Sequence, residues 1–212
     1  MKIDIVFPKN NEKKFIELAE KLGWEGLCFV YKETINKKLL EEIITKTKLK
    51  IFIAGKKGIL KIAKSTEKDQ RILEKSAPDV LYGMEFFAKK DPMHFRSSGL
   101  NQVLCKLAKK NKVVIAVPLK PIIDSKDKTL ILGRIIQNIT LCKKYKVMHA
   151  ISSFAEKPYE MKSPNDMISF MVSLGMAIPE AKKSVNILGE KIKDNLKKQS
   201  SDYIREGIKI LQ

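Results

Sequence analysis

About seven times along this chain a short apolar run gives way to a stretch with helical periodicity, and several of the apolar runs are continuous rather than alternating. Residues 113–119, Val-Val-Ile-Ala-Val-Pro-Leu, are the clearest case. A strand that is apolar on both sides must be covered on both sides, which is the situation of a parallel strand flanked by helices. Further strands are expected at residues 2–8, 26–31, 50–54, 59–63, 79–87 and 147–152. Helices are expected at 12–22, 36–45, 68–75, 100–110 and 127–145, with another opening at Ser163. There three start signals agree: Ser163 as cap, Pro164 at the first helical position and Asp166 as the capping-box acid. Gly23 closes the first helix, and Ser65 or Thr66 is placed to cap the helix at 68–75.

Two α/β architectures fit this order, an open doubly wound sheet and a closed βα barrel. Repeated, roughly equal βα units favour a TIM-barrel-like fold. The first strand runs into Phe7-Pro8-Lys9-Asn10, without the glycine-rich fingerprint of a dinucleotide-binding sheet. The chain has 212 residues, short for eight full units. The expectation is therefore one irregular barrel domain over 1–212, with about seven to eight strands and short outer helices. Residues 179–212 are Lys-rich and helical in pattern with no strand signal, and read as the last helices of the barrel wall or as a basic extension.

Charge then narrows the function. Lys and Arg total 42 against 24 Asp and Glu, a formal charge of +18, and the pI is near 9.7. Nucleic acid is the leading partner for such a surface, an anionic membrane the second, and a lineage that favours Lys the bland reading. The three cysteines, Cys28, Cys105 and Cys142, are widely spaced and read as buried hydrophobes in a reducing compartment. No apolar run approaches the roughly 18 residues of a membrane span, and the start shows no signal-peptide core, so a cytoplasmic protein is expected.

The densest stretch is His94-Phe95-Arg96-Ser97-Ser98-Gly99-Leu100-Asn101. It leads into a helix whose stripe is Leu100, Val103, Leu104, Leu107 and Ala108. Ser97 or Ser98 is placed to cap that helix, which would gather His94, Arg96 and two hydroxyls at a helix N-terminus, where free N–H groups favour a phosphate. Catalytic chemistry is thin. There are two histidines; His94 is in this loop, and His149 reads as a satisfied core or rim residue. Glu85 is a lone acid near a strand end. No paired Cys ligands, nucleophile elbow or P-loop occurs.

This segment, with Leu104 and Lys106-Leu107-Ala108, resembles the signature of archaeal ribonuclease P protein component 3, whose eukaryotic counterpart is the thirty-kilodalton ribonuclease P and MRP subunit. The Ser163-Pro164 helix with Leu174-Gly175-Met176, and the strand at 113–119 ending in Lys120-Pro121, are similar to that family too. The likeness runs over roughly residues 1–195. Phe95 is a departure, since a basic residue or histidine often stands there. The resemblance implies a TIM-barrel-like subunit of the ribonucleoprotein that removes the 5′ leader from precursor tRNA. It implies that the RNA holds the magnesium and does the cleavage, that the protein carries no cofactor, and that it pairs with a small ferredoxin-like subunit, as a heterotetramer, to brace the catalytic RNA. The alternative is a metal-dependent phosphoesterase of a related barrel family. Candidate RNA contacts are basic residues at strand ends and helix starts on one rim: Lys32, Lys56, Arg71, His94, Arg96 and Lys120, with Ser97 and Ser98 beside them. Arg96 ranks first, because a guanidinium can grip phosphate with two donors. Lys106 and Arg134 are weaker candidates on helix exteriors.

Overall fold

The computed structural model describes residues 1–31, 45, 47–55, 58–199, 203–205 and 208–209. Seven parallel strands form in chain order: β1 (Ile3–Val6), β2 (Gly26–Val30), β3 (Lys50–Ala54), β4 (Ile62–Lys64), β5 (Val80–Tyr82), β6 (Val114–Pro118) and β7 (His149–Ser152). They pair sequentially as two runs, β1-β2-β3 and β4-β5-β6-β7. Parallel bridges at Ala54–Leu60 and Val6–Ala155 join the runs at both seams. At the second seam Phe7 N–H donates to Ala155 O (2.7 Å) and Phe154 N–H to Ile5 O (2.9 Å). The sheet is therefore a closed, TIM-barrel-like ring.

Alternation along each strand sorts the core into layers. Ile3, Ile5, Cys28, Val80, Val114, Ala116 and Ala150 fill the barrel interior. Leu27, Phe29, Val117 and Ile151 face outward, against the helices. These are α1 (Glu12–Leu22), α2 (Asp69–Arg71) running on into a wider π turn over Ile72–Ser76, α3 (Gln102–Lys110), α4 (Leu119–Asp124), α5 (Lys128–Tyr145), α6 (Pro164–Ser173) and α7 (Ile178–Gln199). The helix expected at 36–45 lies, but for its last residue, outside the described residues. Gly23 ends α1 in the left-handed region (φ 80°), and the Ser163–Asp166 capping box opens α6. At α2 one of the two expected caps forms, Thr66 Oγ1 accepting from Lys68 N–H (3.1 Å). The Asp69 carboxylate accepts from Ser65 Oγ (2.5 Å) and Thr66 N–H (2.8 Å), so the acid inside the helix ties down the residues before it.

Asp4 sits in an outward position of β1 and is fully buried against β7. Its carboxylate accepts from Ser152 Oγ (2.5 Å), Ser153 Oγ (2.5 Å) and Ser153 N–H (2.7 Å), bonding the first and last strands of the ring together. Burial pushes it up to about 6, against the pull of those hydrogen bonds.

Helix α7 closes the opposite end of the barrel. Ile187, Leu188 and Ile192 join the interior cluster. Lys191 Nζ donates to Lys112 O (2.6 Å), and Asn195 Nδ2 donates to Ile59 O (2.8 Å). Lys191 also pairs with Asp79 (3.4 Å). Gly189 lies on Met1, whose carbonyl oxygen a Cβ there would overlap. Met1, Ile59, Asp79 and Lys112 each lie one to three residues before a strand, so the helix crosses the N-terminal mouth. The chain then forms a small antiparallel pair, β8 (Tyr203–Arg205) and β9 (Ile208–Lys209), where the sequence pattern indicates helix alone. Strands of two and three residues are too short to register as a period.

Candidate nucleic-acid interface

The conspicuous loop of the sequence leaves the C-terminal end of β5 and is built around one side chain. Arg134, on α5, is wholly buried. Its Nε donates to Asp91 Oδ1 (2.8 Å), and Nη2 lies 2.7 Å from the same oxygen. Its Nη1 donates to Glu85 O (2.9 Å) and Ala88 O (2.6 Å). Asp91 in turn accepts from Ser97 N–H (2.9 Å). Desolvation of Asp91 is outweighed by these bonds, which hold its carboxyl below the usual range. Asn138 Nδ2, one turn along α5, donates to Ser98 O (3.0 Å). The reading of Arg134 as an exterior RNA contact is therefore corrected: it is the peg on which residues 85–98 hang. A helix exterior and a helix face turned to a loop have the same periodicity, so spacing cannot separate them.

The helix start is corrected as well. α3 begins at Gln102, and the cap is Asn101, whose side chain accepts from Leu104 N–H (2.9 Å). Ser97 has its N–H on Asp91, and Ser98 is buried with its hydroxyl directed to Leu100 O (3.4 Å). Gly99 explains the displacement. At φ 80° it turns the chain sharply, and a Cβ there would clash with Met84 O. The cap thus falls after the turn, and His94 and Arg96 are not at a helix N-terminus. The buried residues of α3 are Leu104, Cys105 and Ala108, with Leu100 buried just before its cap, while Val103 is 52% exposed.

His94 and Arg96 are exposed on this loop beside Met93 and Phe95, which are 92% and 63% exposed. Arg96 Nη1 donates to Gly133 O (3.1 Å), and the guanidinium lies where a Cβ on Gly133 would stand 3.0 Å from Cζ. The loop and α5 thus present Arg96 at an outer face of the wall. Lys120 is elsewhere, at the end of β6, on the C-terminal mouth. It pairs with Asp124 (2.9 Å), and that hydrogen bond raises its pKa. Arg71 is exposed on α2 and Lys106 on α3. Lys32 and Lys56 lie outside the described residues. The single rim expected from sequence is thus divided in the structure between the outer face carrying Arg96 and His94 and the mouth carrying Lys120.

Sequence reasoning misses Lys64, which ends β4 in register with Tyr82. It lines a mouth cavity of about 530 Å³ with Phe7, Tyr82, Phe154 and Lys120. Its signal is Ile62-Ala63-Lys64: two residues after an inward Ile, the Lys must face inward too.

Among the described residues no three His, Cys, Asp or Glu side chains converge on a site that could hold a metal ion. Burial pushes Glu85 up to about 7 and His149 down to about 4. His149 is not the satisfied histidine expected, because neither ring nitrogen has a partner. The three cysteines are free and buried, and burial raises all three thiols. Among the described residues no helix is long and apolar enough to cross a membrane.

The family model described as RNase P subunit p30 matches residues 90–200, more than half the chain. The chain belongs to that family. Its match begins in the Arg134-held loop and ends at the close of α7, so it takes in both the peg and the plug. Relatives include Ribonuclease P protein component 3 of Methanosarcina mazei, 35% identical over 57% of this chain and 51% of that protein. The protein of the same name from Methanococcus vannielii is 29% identical over 94% of this chain and 83% of that one. The chain spans about half the length of the Methanosarcina relatives it matches. A chain of the cryo-EM structure of archaeal Ribonuclease P with mature tRNA has the same fold, with a TM-score of 0.82 at 23% identity over 99% of this chain and 98% of that one.

Proposed function

We propose that the chain is a protein subunit of ribonuclease P, the ribonucleoprotein that cleaves the 5′ leader from precursor tRNA. It binds and braces the catalytic RNA, and the RNA carries the chemistry. The observation that carries this reading is the family match over residues 90–200. The names of the relatives and the charge of +18 support it. Arg96, His94, Lys106, Arg71 and Lys120 supply phosphate contacts from the surface, with Lys32 and Lys56 as further members of the set. Ser97, Ser98 and Arg134 hold the loop that presents Arg96. Magnesium belongs to the RNA, and a small ferredoxin-like subunit is the protein partner, in a heterotetramer acting in the cytoplasm.

The test is a reconstituted particle. Arg96→Ala combined with Lys120→Ala should lower cleavage efficiency, with partial recovery at higher magnesium. It should also reduce the slope of log affinity against log salt by about one for each phosphate no longer gripped. Unchanged cleavage and an unchanged slope would remove these residues from the interface. The metal-dependent phosphoesterase reading instead requires near-stoichiometric bound metal, which elemental analysis of the purified protein measures.

A further inference from the structure

The C-terminal mouth of the barrel has a composition that closing a barrel does not require. Inward positions lower down are apolar, yet at the top layer Lys64 takes the inward place beside Tyr82. Across the opening stands Lys120, its backbone N–H held by Ser153 O (2.9 Å). Three rings line the same cavity, and since Phe154 is buried, Phe7 and Tyr82 are the two a base can reach. Tyr82 and Phe154 stack with centroids 4.4 Å apart at 26°, and Phe7 tilts against both at 6.4 and 6.0 Å. Phe154 holds its place with φ at 50°, a region bulky residues avoid. Such strain persists where the surroundings impose it, and it clusters at ligand sites. Two carboxylates share the rim, Asp124 paired with Lys120 and Glu156 with Lys9 (2.8 Å), so a phosphate at Lys120 competes with Asp124. The cavity of about 530 Å³ is of ligand size, and it lies on the face where barrels of this kind bind ligands.

We propose that this mouth is a pocket for one unpaired nucleotide, its base stacked on the aromatic wall and its phosphate between Lys64 and Lys120. Aromatic rings accept any base by its π-face, and ammonium groups beside them take the phosphate. The proposal rests on the RNA-binding reading and adds a single-stranded element to it. The phosphate and base belong either to an RNA strand or to a free mononucleotide.

The experiment titrates the full chain with AMP, with hexauridylate and with an RNA duplex, following the Tyr82 and Phe7 ring resonances by NMR, with Phe7 as the reporter in the Tyr82 variants. Saturable shifts with hexauridylate assign the pocket to a strand, and shifts with AMP alone assign it to a free nucleotide; the duplex should leave Tyr82 unmoved. Tyr82→Ala and Lys64→Met should each weaken binding about ten-fold or more, and Tyr82→Phe should restore what Tyr82→Ala loses. Circular dichroism of each variant separates this from misfolding. The proposal is overturned if neither AMP nor hexauridylate moves Tyr82, or if folded Tyr82→Ala and Lys64→Met bind as the parent does. If the pocket fails while the chain still supports cleavage in the reconstituted particle, only the pocket falls; if omitting the chain leaves cleavage unchanged, the subunit reading falls.

Discussion

Replacing Arg134 with Met would keep much of the volume of this side chain and remove every bond it makes. The guanidinium is fully buried and meets Asp91, Glu85 O and Ala88 O within 2.9 Å. Its loss strands two carbonyls and leaves Asp91 with the more distant charge of Arg96 alone. Breaking a buried pair costs about 3–5 kcal/mol. The Asp91 side chain keeps 20% of its exposure, so water relieves part of that charge and the lower figure, about 3 kcal/mol, applies. For a chain of this size that is a fall in Tm of about 6–12 °C. Urea unfolding gives the free energy, and hydrogen exchange gives its location: the Ser97 amide, held by Asp91, should lose its protection. Arg134→Lys keeps the charge but not the reach to all three acceptors, and should recover only part of the loss. A free energy within about 1 kcal/mol of the parent, with Ser97 still protected, would refute the assignment of Arg134 as the peg.

Gly99→Ala should cost at least about 2 kcal/mol, since the left-handed backbone and the contact with Met84 O act together, whereas Gly175→Ala, at φ 92° with open space around it, should cost only about 1; urea midpoints compare the two. Asp4 gives a pH dependence. With its carboxyl raised to about 6 by burial, the folded state holds a proton that the unfolded chain has already released, so this group's contribution falls as pH rises from about 4 to 6 and is level above. Asp4→Asn lacks that slope, and its stability relative to the parent should improve by about 3 kcal/mol across the interval, read from urea midpoints at each pH. Gly133→Ala should leave stability equal or higher, as an alanine in a helix interior, while displacing the Arg96 guanidinium; RNA affinity then reports whether that held position matters.

The barrel is legible in the sequence because its signals are local and redundant. Continuous apolar strands, the glycine after α1 and the Ser163-Pro164-Asp166 start all place elements correctly. The loop at 87–101 stands out in the sequence, but its details do not follow from it. Asn101 and Ser98 are both good caps, and the choice between them is made by the turn at Gly99, which answers to Met84 in space. Arg134 is misplaced by pattern alone because periodicity gives a helix face without saying what covers it. Lys64 escapes notice because its inward direction matters only once the ring has closed and Phe7, Tyr82 and Phe154 meet.

Whether this chain braces an RNA that does the chemistry is decided by precursor tRNA cleavage. It should be measured with the RNA and partner subunits together, with this chain omitted, and with this chain alone, over a range of magnesium. The expected result is no cleavage by the chain alone, and slower cleavage without it that added magnesium partly restores. Cleavage by the pure chain in the absence of RNA, or a particle indifferent to its omission, would contradict the bracing role.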